Sequence, residues 1–163
     1  MLFLVFHISD QRFALEARVI EEITPLVELG KIPKVAHYVA GIFHYRGSMI
    51  PVIDLCQLLE DRPSVAKVST RIIVIRFTDK RGKSHLLGLI AEGVNDTFCT
   101  NLENFMGHDI EIAEAPALGK VMYDDSGMIQ LVDTQQLLNE QAASLVFTRD
   151  TVENSLPAET SCR

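Results

Sequence analysis

Five histidines, three cysteines and 22 acidic side chains are the groups in this chain that could do acid–base, nucleophilic or metal chemistry. Their spacing assembles none of these. Among His7, His37, His44, His85 and His108, no two stand at i, i+4 on a helical stretch; that spacing sets two imidazoles on one face around a metal. The densest run of ligand types is "HDIEIAE" at 108–114, with His108, Asp109, Glu111 and Glu114. It could hold a metal weakly. Ligand types alone do not fix a site, and a solvated acidic loop is the plainer reading. Cys56, Cys99 and Cys162 are odd in number and form no CxxC, so neither a disulfide framework nor a zinc site is expected. Cys56 and Cys99 read as small buried apolar residues. GxSxG, HExxH, GxGxxG and a complete P-loop are all missing; "GKS" at 82–84 lacks the upstream glycine and the following helix, and reads as a hairpin turn. The expectation is no catalytic residue, no metal and no cofactor.

One charged residue stands out by its place. Arg46 lies inside "YVAGIFHYRGSMIPVIDL" (38–55), a run that is otherwise mostly apolar. The pattern reads as strand, turn, strand, with Arg46-Gly47-Ser48 as the turn and Gly47 supplying a positive φ. Two readings stay open. Arg46 is an ordinary turn arginine, free or paired with Glu21 or Glu22. Or it anchors an interface, a role that suits a planar, weakly hydrated side chain with five donors.

The elements that must carry this turn are strands. "LFLVFHI" (2–8), "RFALEA" (12–17), "RIIVIRF" (71–77) and "HLLGLIA" (85–91) are short, rich in branched and aromatic residues, and separated by "SDQR", "TDKRGKS" and "YDDSG" turns. "RVIEEITPLVEL" (18–29) could be an amphipathic helix, but Pro25 interrupts it; a strand over Val19–Thr24 fits better. The chain also repeats itself. "IPVIDLCQLL" (50–59) and "IQLVDTQQLL" (129–138) match at Ile50/Ile129, Asp54/Asp133, Gln57/Gln136, Leu58/Leu137 and Leu59/Leu138. Each copy is preceded by a strand–turn–strand unit, at a spacing of roughly 70 to 80 residues. In both, an apolar strand ends at an Asp placed to cap one or more helical turns. The expected organisation is one domain over 1–141, with halves at about 1–66 and 67–141 joined by the polar linker 60–70. A tail over 142–163 comes after it, a short helix at most and then disorder.

Length and charge bound the function. A chain of 163 residues with 47% hydrophobic residues can bury a core. The net charge of −7 argues against a general nucleic-acid binder and against a polybasic membrane tether. "MLFLVFHI" is too short to span a bilayer and reads as a strand, so the protein is expected in the cytoplasm, without membrane insertion. A small β-barrel ligand or nucleic-acid-binding module remains an alternative, against which the acidity and the lack of an aromatic–basic face count.

The block from Gly41 through Arg46-Gly47 to Pro51-Val52-Ile53-Asp54-Leu55 resembles the signature of CheW-like domains, the coupling proteins of bacterial chemosensory arrays. "FLVFHISDQRFALEARVIEEI", "KIPKVAHYVAGI", "LLGLIAEGVNDTF" and "MIQLVDTQQLL" are similar to other parts of that family, over about residues 3 to 139. Two departures stand out: His44-Tyr45 where the family often has Asn-Leu, and Ala91-Glu92 where it has Val-Asp. They fit a specialised, non-flagellar pathway. The resemblance implies an all-β fold of two five-stranded SH3-like barrels around a shared core, with short helices. It also implies a non-catalytic adaptor without cofactor, binding the cytoplasmic tip of a chemoreceptor and the regulatory domain of a CheA-type histidine kinase. The protein would then be cytoplasmic and associated with membrane-bound receptor complexes. The positions it implies for receptor or kinase binding are Ile20, Glu22, Ile23, Arg46 and Gly47.

Overall fold

A computed structural model of the chain describes residues 1–107 and 118–137. Its strands in chain order are β1 (Leu2–Ile8), β2 (Gln11–Glu16), β3 (Ile20–Pro25), β4 (Val39–Tyr45), β5 (Ser48–Asp54), β6 (Arg71–Thr78), β7 (Ser84–Cys99), β8 (Leu118–Asp124) and β9 (Gly127–Val132). One helix, α1 (Leu55–Glu60), and two 3-10 turns complete the regular structure of the described residues. The all-β reading holds. The acidic stretch 108–114 and the tail lie outside the described residues.

β1 and β6 show why these strands read as continuous apolar runs rather than alternating ones. On β6, Ile72 and Val74 pack with Tyr45, Ile50, Val52 and Ile90. The intervening Ile73, Ile75 and Phe77 pack on the other face, against Leu4, Phe6 and Ile8 of β1. On β1 the opposite face carries Phe3, packed with Ala14, Phe105 and Ile129. Both faces of both strands are therefore in core, a pattern a half-exposed strand cannot sustain. The core that joins β1 and β6 is the largest of the three clusters and is common to the whole fold.

The strands form two five-membered groups that share β7. One runs β3-β6-β7-β5-β4 and the other β7-β1-β2-β9-β8. Each closes on itself through the segment after one end strand. After β3, Gly30 exchanges two backbone hydrogen bonds with Ile42 of β4, at 2.9 and 2.8 Å. After β7, Met106 does the same with Val121 of β8, at 2.7 and 2.9 Å. The first closure explains Gly41: a Cβ there would lie 2.3 Å from the Gly30 carbonyl oxygen.

The groups do not coincide with the two sequence repeats. β2 pairs in parallel with β9, and the start of β7 pairs in parallel with β5. Each repeat thus lends its closing strand to the other's hairpin, and a boundary near residue 66 separates neither group. β7 reaches Cys99 rather than ending at Ala91, because β1 supplies a second partner: Leu2, Phe3, Leu4 and Val5 pair with Cys99, Phe98, Thr97 and Asp96. β3 keeps Pro25 as its last residue, where a missing N–H does least harm, and Val19 falls in a 3-10 turn.

Two expectations are corrected. Cys99 is exposed: Phe98 turns inward and stacks on Phe3 at 5.4 Å, so its neighbour must face out. Asp54 caps α1 as expected, but Asp133 caps a turn within the described residues. Its carboxylate accepts from the Gln135 N–H at 2.9 Å, as Asp54 does from Cys56. The two sites differ in the residues after the Asp. The residue next to each Asp is buried, Leu55 and Thr134, but the one after it is buried Cys56 in the first site and exposed Gln135 in the second.

Candidate interaction site at the β4–β5 turn

The β4–β5 register is Phe43 with Ile50, His44 with Met49 and Tyr45 with Ser48. That leaves two residues, Arg46 and Gly47, to make the turn, and both have positive φ, 46° and 81°. This is the turn twist that matches antiparallel strands, and it normally demands glycine, asparagine or aspartate at the first position. Ser48, expected in the turn, is the first residue of β5. Gly47 has nothing within 4 Å of where a Cβ would stand, so the turn projects into solvent.

Arg46 is 72% exposed, yet it is held. Its Nη2 lies 3.0 Å from Glu22 Oε2, and its guanidinium stands over the Tyr45 ring at 5.2 Å. The Tyr45 hydroxyl donates to the same Glu22 oxygen at 2.7 Å. Glu21, the alternative partner for Arg46, faces away and pairs with Arg76. Arg46 therefore has an intramolecular partner in Glu22, and most of its surface remains accessible. The hydrogen bond to Glu22 is the chief cause that raises the Tyr45 phenol above its ordinary pKa, since it favours the protonated donor.

The other expected residues divide around this cluster. Ile23 is exposed and alternates with Glu22 along β3, so it points to the opposite side. Ile20 packs against the shared core, beyond a register shift between Ile20 and Glu22. The structure therefore brings together Glu22, Arg46 and Gly47. It adds Tyr45, which sequence reasoning noted only as a departure and whose ring is buried among Ile50, Val52 and Ile72.

A second polar cluster holds the fold rather than facing out. Glu92 accepts from Arg62 Nη1 at 2.9 Å, from the Val65 N–H at 2.9 Å and from the Cys56 thiol at 3.4 Å. The Arg62 hydrogen bond keeps the Glu92 carboxyl below its usual range, and burial pushes the Cys56 thiol up to about 11. Arg62 also reaches Glu60 and Ser9. The polar segment between the repeats is thereby tied to α1, β7 and the β1–β2 turn. His7 lies 3.4 Å from the Gly93 carbonyl, His37 pairs with Asp61 and His85 with Asp79. Among the described residues no three histidine, cysteine, aspartate or glutamate side chains converge as a metal site. No described helix is long and apolar enough to cross a membrane.

The family model of the CheW-like domain matches residues 2–142. The chain belongs to the CheW-like domain family. Among curated members it is 26% identical to the chemotaxis protein CheW of Bacillus subtilis, over 94% of this chain and 91% of that one. It is 22% identical to the chemotaxis protein CheW of Klebsiella aerogenes, over 88% and 85%. The crystal structure of the scaffolding protein TtCheW from Thermoanaerobacter tengcongensis shares the fold. Its TM-score is 0.73 at 22% identity, over 86% of this chain and 89% of that one.

Proposed function

We propose that this CheW-like chain is a non-catalytic adaptor that couples methyl-accepting chemoreceptors to a CheA-type histidine kinase. Residues 1–141 act as one module, in the cytoplasm at the receptor tips and without a cofactor. The observation that carries this reading is the exposed Arg46 on a rigid two-residue turn, in a chain whose family match spans nearly its whole length. An arginine held over an aromatic ring with donors left open suits a partner that offers a carboxylate or carbonyl. Glu22 and Gly47 belong to the same surface. Ile20, packed against the shared core, and Ile23, exposed on the other side of β3, are the remaining positions assigned to partner binding.

Arg46→Glu tests the reading. An ion pair this exposed contributes about 0–1 kcal/mol, so the melting temperature should shift by only a few degrees. Affinity for the receptor tip or the kinase regulatory domain should fall at least thirtyfold, the loss of about 2 kcal/mol expected of an interface anchor. Unchanged affinity for both partners would defeat the proposal.

A further inference from the structure

Tyr45 is the residue at this site that the family pattern does not explain. Its ring is 7% exposed and packed in the interior of its strand group, while its hydroxyl reaches out to Glu22 Oε2. Arg46 Nη2 approaches that same oxygen. Among the described residues no donor reaches Glu22 Oε1, and the Glu22 side chain is 39% exposed. A carboxylate held on one oxygen by a hydroxyl donor and an adjacent guanidinium has its other oxygen aimed in one direction. The anchoring donor also comes from a buried ring, which cannot swing as a surface side chain can.

We propose that Tyr45 is a positioning and specificity-determining residue, which locks Glu22 so that Glu22 Oε1 and the open Arg46 N–H groups form one donor–acceptor pair for a docking partner. The complementary chemistry is a group offering a donor and an acceptor side by side. A side-chain amide of asparagine or glutamine has this arrangement, and so does an arginine adjacent to a carboxylate. A lone carboxylate would meet Arg46 but face repulsion from Glu22. A lone cation would meet the converse. With leucine at position 45 the same turn would leave Glu22 held by Arg46 alone, free to follow it, and the pair would recognise its partner less strictly. This inference rests on the adaptor reading for the partner, but its intramolecular half does not.

The experiment has two arms. In the first, the tyrosine ring 13Cζ resonances are followed by NMR through alkaline pH in the native protein and in Glu22→Ala. One tyrosine should titrate at lower pH in the variant, because the neutral donor has lost its acceptor. No movement in any of Tyr38, Tyr45 or Tyr123 would show that the bond does not form, and would overturn the inference without any partner. In the second arm, affinity for a receptor-tip fragment is measured for native protein, Tyr45→Phe, Glu22→Ala and the double variant. Tyr45→Phe keeps the buried ring and should keep the melting temperature within a few degrees. It should weaken binding about three- to tenfold, the scale of one ordinary hydrogen bond, because the change loosens Glu22 without removing a contact to the partner itself. In the Glu22→Ala background the same change should do nothing further. Binding of Tyr45→Phe within twofold of native, or equal losses in both backgrounds, would overturn the positioning role while the adaptor reading stood. Failure of the native protein to bind the receptor tip and the kinase domain would instead bring down the adaptor reading, and the docking half of the inference with it.

Discussion

Replacing Asp54 with alanine should be among the most damaging single polar changes in this protein, although Asp54 faces no partner. The residue is 7% exposed and its carboxylate accepts four hydrogen bonds. Oδ1 takes the Cys56 N–H at 2.9 Å, the Gln57 N–H at 3.3 Å and the Ser64 hydroxyl at 2.6 Å; Oδ2 takes the Ser64 N–H at 2.9 Å. The first two cap α1, and losing such a cap costs about 1 kcal/mol. The two bonds to Ser64 are charge-assisted, at about 1.5 kcal/mol each on the low side of their range. That low figure is apt because the Ser64 hydroxyl can turn to water. The sum is about 3–4 kcal/mol, or roughly 6–16 °C in melting temperature for a domain of this size. Asp54→Asn keeps an oxygen for the cap and loses mainly the Oδ2 bond, so it should cost about 1–2 kcal/mol. Urea unfolding followed by far-UV circular dichroism reads both, as lower midpoints at unchanged slope. An alanine variant within about 0.5 kcal/mol of native would refute the claim that this carboxylate holds the α1 cap and the 61–70 segment together. An asparagine as costly as alanine would place the effect in the charge rather than in the bonds.

Further outcomes concern the rest of the frame. Arg12 clamps Asp124 through two 2.7 Å bonds, which hold that carboxyl at about 2. A carboxyl depressed in the folded state stabilises above its ordinary pKa near 3.9 and loses that contribution as pH falls. The stability difference between native and Arg12→Ala should thus be full at neutral pH and shrink between about pH 4 and pH 2, read from urea midpoints; a constant difference would contradict the clamp. Gly88 lies between β5 and β6, where a Cβ would stand 2.9 Å from Val52 Cγ2 and 3.2 Å from Ile72 Cγ2. Gly88→Ala should destabilise by about 1–3 kcal/mol through overpacking, and a neutral result in thermal unfolding would show that the two groups yield more than their burial suggests.

Much of the strand content was legible in the sequence because it is written in local chemistry. The runs at 2–8 and 71–77 are apolar at nearly every position, and their turns are polar. Asp54 announces its own cap, and Arg46-Gly47 its own turn. The repeat at 50–59 and 129–138 is plain to read. The pairing of the strands is not local. That β5 joins β7 and β9 joins β2 depends on which buried faces meet across the shared core, and the same apolar pattern would serve either partner. The strand read at 85–91 stops where polar residues become frequent; the arrival of β1 alongside carries β7 on to Cys99. The site shows the same division. Sequence places Glu22 and Arg46 on separate elements and leaves open whether Arg46 is free or paired. Closure of the β3–β4 group sets Glu22 beside the turn, with the Tyr45 hydroxyl beneath it, because the ring must be buried and its polar end must find an acceptor. Types of residue fixed the candidates; the three-dimensional meeting of two strands decided which of them touch.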